Sequence, residues 1–337
     1  MKRGCFYLKR LDVINYLKGF SIFTIVFMHL FQNYLNLPNV INKGLALGGA
    51  GVHIFILCSG FGLYLSYLNK KIEYKEFLKK RFSKIYIPYI LVILISASIP
   101  IVYNGSDRIN AVLSHMFLFK MFFEKYECSF GMQFWFISTI VQFYLAFYIL
   151  IRIKNRIKSN KTFFILSLGI SFVWWILVFL IGKSDVRVWN SFFLQYLWEF
   201  CLGMVLAEIY YFNNEIKLPK KITLILFSII GIGITGITGV IGGALKSFND
   251  IPSIIGYGSM ALLLFSINNN FINNVFIKLS KISYEWYLTH ILVFDLVFKL
   301  NFGINKYVLC FIAFTISIII SKLYNYILIN SIYIKNT

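Results

Sequence analysis

The chain has 337 residues, of which 59% are hydrophobic and only 14% are charged. Soluble globular proteins carry about 25% charged residues, so this composition excludes a soluble domain with a water-facing surface. The net charge of +20 does not indicate a nucleic-acid partner, because the basic residues lie in loops too short to hold a folded binding module. The composition therefore predicts an all-α, polytopic membrane protein.

Apolar segments near 20 residues long recur along the chain, and a helix of that length crosses roughly 30 Å of hydrocarbon. We count ten of them, at 13–34, 45–68, 86–103, 132–151, 162–181, 192–212, 222–243, 252–268, 282–300 and 307–330. A further stretch, 111–123, is predicted to enter the membrane without crossing it. We expect about ten transmembrane helices around a central polar cavity, in a single domain of residues 1–337.

The distribution of basic residues predicts the orientation, because Lys and Arg are retained on the cytoplasmic side. With the N-terminus inside, 22 basic residues fall on the inner side and 9 on the outer side. Both termini are therefore predicted to be cytoplasmic, and the basic loops to lie beside anionic membrane lipids. The pattern predicts a multi-pass protein of the cell membrane and does not indicate an oligomeric state.

The first segment carries two ionisable residues, Lys18 and His29, eleven positions apart. Eleven residues at 100° each return to within about 20° of the same helical face. A cation that faces lipid costs roughly 2.5–3.5 kcal/mol, so we expect this stripe to face a protein interior or a wet cavity. Lys18 also interrupts the apolar run, which argues against a cleaved signal peptide.

Other polar residues inside or beside the segments each admit two interpretations. Ser59 and Gly60 allow close helix packing or belong to a site, and His53 bonds a neighbouring hydroxyl or lies at a cavity mouth. Arg81 and Lys84 anchor the chain to the membrane surface or bind a phosphate group. Near the C-terminus three polar residues share one helical stripe: Ser283, Tyr287 and His290.

Cysteine and histidine do not show a metal-binding pattern. The five Cys and four His are scattered along the chain, with no CxxC and no HExxH motif. The sequence therefore predicts neither a structural disulfide nor a metal site.

Five motifs, in chain order, resemble the membrane-bound acyltransferase 3 family over essentially the whole chain. The first is a basic residue, ten intervening residues and a His, matched by Lys18 and His29. The other four stand here as Gly51-Val52 with Phe55 and Ser59-Gly60-Phe61, Lys80-Arg81 with Lys84-Ile85 and Pro88, Trp135-Phe136-Ile137 with Tyr144, and Ser283-Tyr284 with Tyr287-Leu288 and His290. Each motif is short, but five in this order are specific.

The resemblance implies transfer of an acyl group from cytoplasmic acyl-CoA, usually acetyl-CoA, to a hydroxyl of an extracytoplasmic or lipid-linked glycan. His29 is then the general base that activates the hydroxyl, or itself carries the acyl group, and His290 also belongs to the catalytic residues. The reaction needs donors for an oxyanion, and the candidates are Lys18, Ser59 and Tyr287. The basic motif then supplies cations for the phosphates of CoA, from Lys80, Arg81 and Lys84.

The chain departs from the family pattern at several points. Lys80 and Lys84 stand where arginine is typical, which removes the bidentate fork for a phosphate. Ile140 stands where many members carry an acidic residue, and we expect no appended extracytoplasmic esterase-like domain. One alternative is a secondary transporter, because proton relays also bury ionisable residues in the membrane. The other is a non-catalytic partner in glycan synthesis, which requires the stripe of Lys18 and His29 to be dispensable.

Overall fold

The computed structural model describes residues 3–103, 107–215, 218–242, 245, 248–300 and 303–333. These residues form helices and no strands. The helices are α1 (Arg3–Tyr34), α2 (Asn39–Ala46), α3 (Gly51–Asn69), α4 (Tyr74–Ser98), α5 (Arg108–Met116), α6 (Trp135–Arg156), α7 (Asn160–Leu180), α8 (Arg187–Asn190), α9 (Leu197–Asn213), α10 (Lys221–Ile241), α11 (Asp250–Ser266), α12 (Asn270–Ser280), α13 (Ser283–Lys299) and α14 (Lys306–Leu328). The predicted all-α class is therefore confirmed.

Seven helical segments in the described part of the chain are long and apolar enough to cross a membrane: Asp12–Tyr34, Asn39–Asn69, Tyr74–Ser98, Met132–Arg156, Asn160–Leu180, Lys221–Ile241 and Lys306–Ser331. The other three predicted segments fall on α9, α11 and α13, which have 17 residues each. At 1.5 Å per residue these helices are about 25 Å long, which is less than the full hydrocarbon thickness. A polytopic membrane protein is confirmed, with seven full-length spans and three shorter helices at the ten predicted positions.

The third predicted segment begins earlier than expected. We placed its start at residue 86, after a basic loop, but α4 begins at Tyr74 and contains Pro88 in its interior. The first three turns of α4 mix basic residues with apolar ones such as Phe77 and Leu78, a composition that suits a helix at a membrane surface. The stretch at 111–123 forms α5 and short turns, and it is not among the seven spans.

Close contact between α3 and α9 depends on glycine in both helices. A Cβ added to Gly60 would lie 2.1 Å from the carbonyl oxygen of Phe200, and one added to Gly203 would lie 2.1 Å from that of Leu57. Only a glycine permits such an approach of two backbones. Of the two interpretations of Gly60, the structure supports the packing role, and the same contact brings Glu199 at the start of α9 against α3.

Helix α13 is held between α1 and α14. The indole Nε1 of Trp286 donates to the Ser317 hydroxyl oxygen at 2.9 Å, and the hydroxyls of Thr289 and Ser321 are also 2.9 Å apart. These bonds join α13 to α14 inside a region where a polar atom without a partner is costly. They fix the rotation of α13, so that His290 faces α1.

Candidate active site

A cavity of about 1180 Å³ lies between the helices, larger than the roughly 300–1,000 Å³ of ordinary small-ligand pockets. On the side of the predicted cytoplasmic termini its wall includes Lys18 of α1 and Ser283 of α13. On the opposite side the wall includes Glu127 from a loop and Arg187 from the short helix α8. The cavity therefore extends between the two ends of the helix bundle, as the predicted central polar cavity requires.

Two histidines that are 261 positions apart in sequence form a hydrogen-bonded pair at this cavity. His29 Nδ1 lies 2.9 Å from His290 Nε2, and the two rings are parallel within 3°. His29 lines the cavity, whereas the side chain of His290 is fully buried behind it. His290 Nδ1 lies 2.8 Å from the backbone carbonyl oxygen of Trp286, one turn earlier in α13.

The hydrogen bonds assign the tautomer of each ring. A carbonyl oxygen only accepts, so His290 Nδ1 carries a hydrogen and donates it to Trp286. In a neutral imidazole the other nitrogen is then an acceptor, so His29 must donate from Nδ1 to His290 Nε2. This leaves an unprotonated nitrogen, Nε2, on the edge of the His29 ring away from His290. A base with a fixed lone pair is therefore present at the cavity wall.

Three further predicted residues line the same cavity: Lys18, Ser59 and Tyr287. The Ser59 hydroxyl donates to the carbonyl oxygen of Phe55 at 2.8 Å, and the Tyr287 hydroxyl donates to that of Gln133 at 2.6 Å. Both hydroxyl hydrogens are thus already engaged with backbone. Lys18 lies about 16 Å from His29 along α1, at 1.5 Å per residue.

The predicted phosphate-binding residues do not line the cavity in the described structure. Lys80 Nζ lies 2.6 Å from a carboxylate oxygen of Glu76, on the exposed surface of α4. The guanidinium of Arg81 lies over the Phe77 ring, 5.8 Å from its centroid. Lys84 is exposed and precedes Ile85, which is a wall residue of the cavity. The basic motif therefore borders the cytoplasmic end of the cavity from outside.

A second histidine of the cavity wall, His53, is joined to two acidic residues. His53 Nδ1 lies 2.7 Å from Glu199 Oε1, and His53 Nε2 lies 3.8 Å from Asp250 Oδ1. Glu199 is fully buried, and Asp250 accepts a hydrogen bond of 2.6 Å from the side-chain amide of Gln195. The ligand-type atoms of the three residues lie within 4.8 Å of one another.

An arginine at the start of the short helix α8 lies on the wall of the outer part of the cavity. The guanidinium carbon of Arg187 lies 4.9 Å from the centroid of the Trp135 ring, which is a cation–π distance. Arg187 also hydrogen-bonds the side chain of Tyr196 and interacts electrostatically with His29 and Asp250. A fixed positive charge is therefore within electrostatic reach of both histidine clusters.

Sequence analysis did not identify Arg187 and Asp250 as site residues. Arg187 lies in a short polar connection and looks like any other basic residue of an outer loop. Asp250 lies two residues before the eighth predicted segment, although it is the first residue of α11. His53 was singled out as a partner for a neighbouring hydroxyl or as a residue at a cavity mouth; it lines the cavity, but its partners are carboxyl groups. The sequence did contain a signal for both residues. Acidic residues at the start of a membrane helix are uncommon, and so are basic residues on the outer side of the membrane.

Comparison with known proteins agrees with this architecture. Residues 11–324 match the family model Acyl_transf_3, which is described as an acyltransferase domain. No curated protein and no solved structure matches the chain. The family match covers nearly all of the described helices, including those that carry His29 and His290. The chain therefore belongs to the acyltransferase 3 family.

Proposed function

We propose that this protein, in the cell membrane, transfers an acetyl group from cytoplasmic acetyl-CoA to a hydroxyl of a cell-surface or lipid-linked glycan. The observation that carries the proposal is the hydrogen-bonded chain from Trp286 through His290 to His29. This chain holds the Nε2 lone pair of His29 at the wall of a cavity that extends between both ends of the bundle. General bases of this kind contribute typically 10²–10⁴-fold to a reaction rate.

In the proposed reaction His29 Nε2 takes the proton of the acceptor hydroxyl while the hydroxyl oxygen attacks the thioester carbonyl carbon. The tetrahedral intermediate then expels the CoA thiolate, which takes the proton back from His29. One carbon–oxygen bond forms, one carbon–sulfur bond breaks, and His29 ends in its starting state. His290 keeps the Nδ1 hydrogen of His29 engaged throughout, so that the basic nitrogen stays on the cavity side.

The oxyanion of the intermediate needs a donor close to His29. Lys18 is about 16 Å away along α1, which suits it to the acyl-CoA rather than to an oxyanion beside His29. Ser59 and Tyr287 serve only if they release their backbone acceptors. Arg187 is already within electrostatic reach of His29, so we add its guanidinium to the candidate donors.

The acyl donor is proposed to enter from the cytoplasmic end. Cations border that end of the cavity in two places, with Lys18 on its wall and the basic motif of α4 outside it. A thioester arm that extends from this end toward His29 would leave the CoA phosphates beside Arg81 and Lys84. Lys80 is the weakest of the three proposed phosphate ligands, because Glu76 already pairs with it.

The test is transfer or release of labelled acetyl from acetyl-CoA by purified protein in liposomes, with a glycan extract as acceptor. We expect His29→Ala to abolish turnover while CoA still binds, and Arg81→Ala mainly to weaken CoA binding. Asn33→Ala is the matched control, since Asn33 lies one turn further along α1 and lines the same cavity. If the wild type neither binds nor consumes acetyl-CoA, the proposal is wrong.

A secondary transporter is the second candidate, because buried ionisable residues surround a cavity that reaches both ends of the bundle. It predicts substrate movement across liposomes without any dependence on acyl-CoA. Turnover of acetyl-CoA that requires His29, with no substrate movement in its absence, would exclude it.

A further inference from the structure

We infer that His53, Glu199 and Asp250 form a binding site for one divalent metal ion on the outer part of the cavity wall. The three residues come from α3, α9 and α11, and their ligand-type atoms lie within 4.8 Å of one another. His53 and Asp250 line the cavity, so an ion can enter from it. The residue types, one imidazole and two carboxylates, suit Zn²⁺ or Mn²⁺.

The hydrogen bond to Glu199 prepares His53 as a ligand. A carboxylate only accepts, so His53 donates from Nδ1 to Glu199 Oε1 across 2.7 Å. The other nitrogen, Nε2, is then an acceptor that points toward Asp250. A carboxylate behind a histidine is a recurrent arrangement around metal ions, where it orients the ring and raises its basicity.

The distance between His53 and Asp250 fits a shared ion better than a direct bond. Nε2 and Oδ1 are 3.8 Å apart, which is too long for a hydrogen bond. Two ligands at about 2.1 Å from one ion are separated by roughly 3.4 Å at the tetrahedral angle. A movement of about 0.4 Å therefore brings both atoms into a first coordination sphere.

The charges around the cluster also favour a cation. Glu199 Oε2 is buried and has no hydrogen-bond partner among the described residues, so Glu199 places negative charge behind the ring of His53, opposite the nitrogen that faces the ion. Arg187 rests on Trp135, and within the described structure no ion pair of 4 Å or less joins it to either acid. A fully buried carboxylate such as that of Glu199, with the second carboxylate of Asp250 nearby, is costly without a positive charge in direct contact. A divalent ion provides that charge directly.

The cavity side of the site leaves a coordination position for a substrate oxygen. On the proposed function, and only if it holds, that oxygen is a hydroxyl of the glycan acceptor, which the ion would hold on the wall of the same cavity as His29. The site itself does not depend on that function, because its residues and distances are independent of any acyl donor.

The experiment uses full-length protein in detergent, stripped with EDTA and dialysed, and titrated with Co²⁺ in the absence of acetyl-CoA. We expect one equivalent of Co²⁺ to develop the intense visible absorption of a four- or five-coordinate ion, and Zn²⁺ to abolish it by competition. Asp250→Asn and Glu199→Gln keep the side-chain shapes, and each is expected to weaken binding at least 10-fold. Glu208→Gln in α9 is the control, since Glu208 pairs with Lys154 away from this cluster, and it should bind like wild type.

Weak octahedral absorption, or equal binding by wild type and both site variants, would mean an adventitious ion only and would overturn the inference. If the cluster holds a proton instead of a metal ion, no Co²⁺ will bind between pH 6 and 8. That result would overturn the inference as well. Because binding is measured without acetyl-CoA, metal binding with no acyl transfer refutes the proposed function alone. Acyl transfer by a protein that binds no metal refutes the metal site alone.

Discussion

Two histidines of the cavity wall, His29 and His53, have the same hydrogen-bond pattern but different partners. Each engages Nδ1 in a hydrogen bond, which leaves Nε2 of His29 on the cavity side and Nε2 of His53 directed toward Asp250. His29 Nδ1 bonds a second imidazole, which in turn donates to a backbone carbonyl oxygen. His53 Nδ1 instead bonds the carboxyl group of Glu199. The hydrogen bonds of His29 involve no acidic group, whereas His53 lies beside two carboxyl groups.

This difference decides what each histidine can hold. A proton taken up by His29 has no adjacent carboxylate within the described part of the chain, so it is readily returned, as a shuttle in acyl transfer requires. Positive charge at His53 is stabilised by Glu199 and Asp250, so a cation placed there is retained. The hydrogen-bond partner of each histidine, rather than the residue type, therefore decides whether it serves as a base or as a metal ligand.

The largest expected effect is on turnover. His29→Ala should lower kcat by about 10²–10⁴-fold, because the general base is lost. Steady-state rates of acetyl transfer, with CoA affinity measured separately by calorimetry, check this outcome. His290→Gln should fall between wild type and His29→Ala, since an amide oxygen can still accept from His29 Nδ1. Equal rates for wild type and His29→Ala would remove the distinction between the two histidines.

The next effect is on the free energy of unfolding. Here the substitution of His53 should cost more than the substitution of His29. His53→Ala leaves Glu199 buried without its donor and should cost roughly 3–5 kcal/mol, as for a broken buried ion pair. His29→Ala removes a partly exposed ring with a neutral partner and should lower the Tm much less. Thermal unfolding of both variants in the same detergent measures the contrast. A larger Tm loss for His29→Ala would contradict the comparison.

A buried lysine outside both histidine clusters, Lys120, extends the comparison. Its Nζ has no hydrogen-bond partner among the described residues. Burial lowers the pKa of Lys120 from 10.5 to about 7. Between about pH 7 and the unfolded pKa near 10.4, the unfolded chain binds more protons, so stability should rise with pH there. Lys120→Met should flatten this rise and increase the Tm at pH 6. Identical Tm profiles across pH 6–10 for the two proteins would refute it.

The smallest effects are expected in the basic motif. Arg81→Ala should raise the KM for acetyl-CoA roughly tenfold, the value of one charge-assisted hydrogen bond. Lys80→Ala should change KM and Tm little, because exposed ion pairs contribute about 0–1 kcal/mol. Lys75→Ala on the same exposed surface is the control. A larger KM change for Lys80→Ala than for Arg81→Ala would mean that Glu76 releases Lys80 to bind the donor.

Sequence analysis predicted the helices and singled out His29 and His290, which the structure brings together, for a local reason. Hydrophobic segments and the stripe of Lys18 and His29 depend on periodicity along one helix, which the sequence displays directly. The stripe of Tyr287 and His290 in α13 was predicted on the same basis, although only the structure shows that His290 lies behind His29. Helix limits were less accurate, as the early start of α4 shows, since surface helix and loop have similar compositions.

The amino-acid sequence by itself determined that this protein is an all-α membrane protein, which residues are too polar to face lipid, and to which family it belongs. Those properties follow from composition, spacing and short motifs. Only the tertiary structure decided that His290 orients His29 and that His53, Glu199 and Asp250 come together from three helices. The physical reason is that these contacts depend on how separate helices approach and rotate: α1 against α13 for the histidine pair, and α3, α9 and α11 for the second cluster. The glycines Gly60 and Gly203 permit the approach of α3 and α9, but no local pattern encodes it.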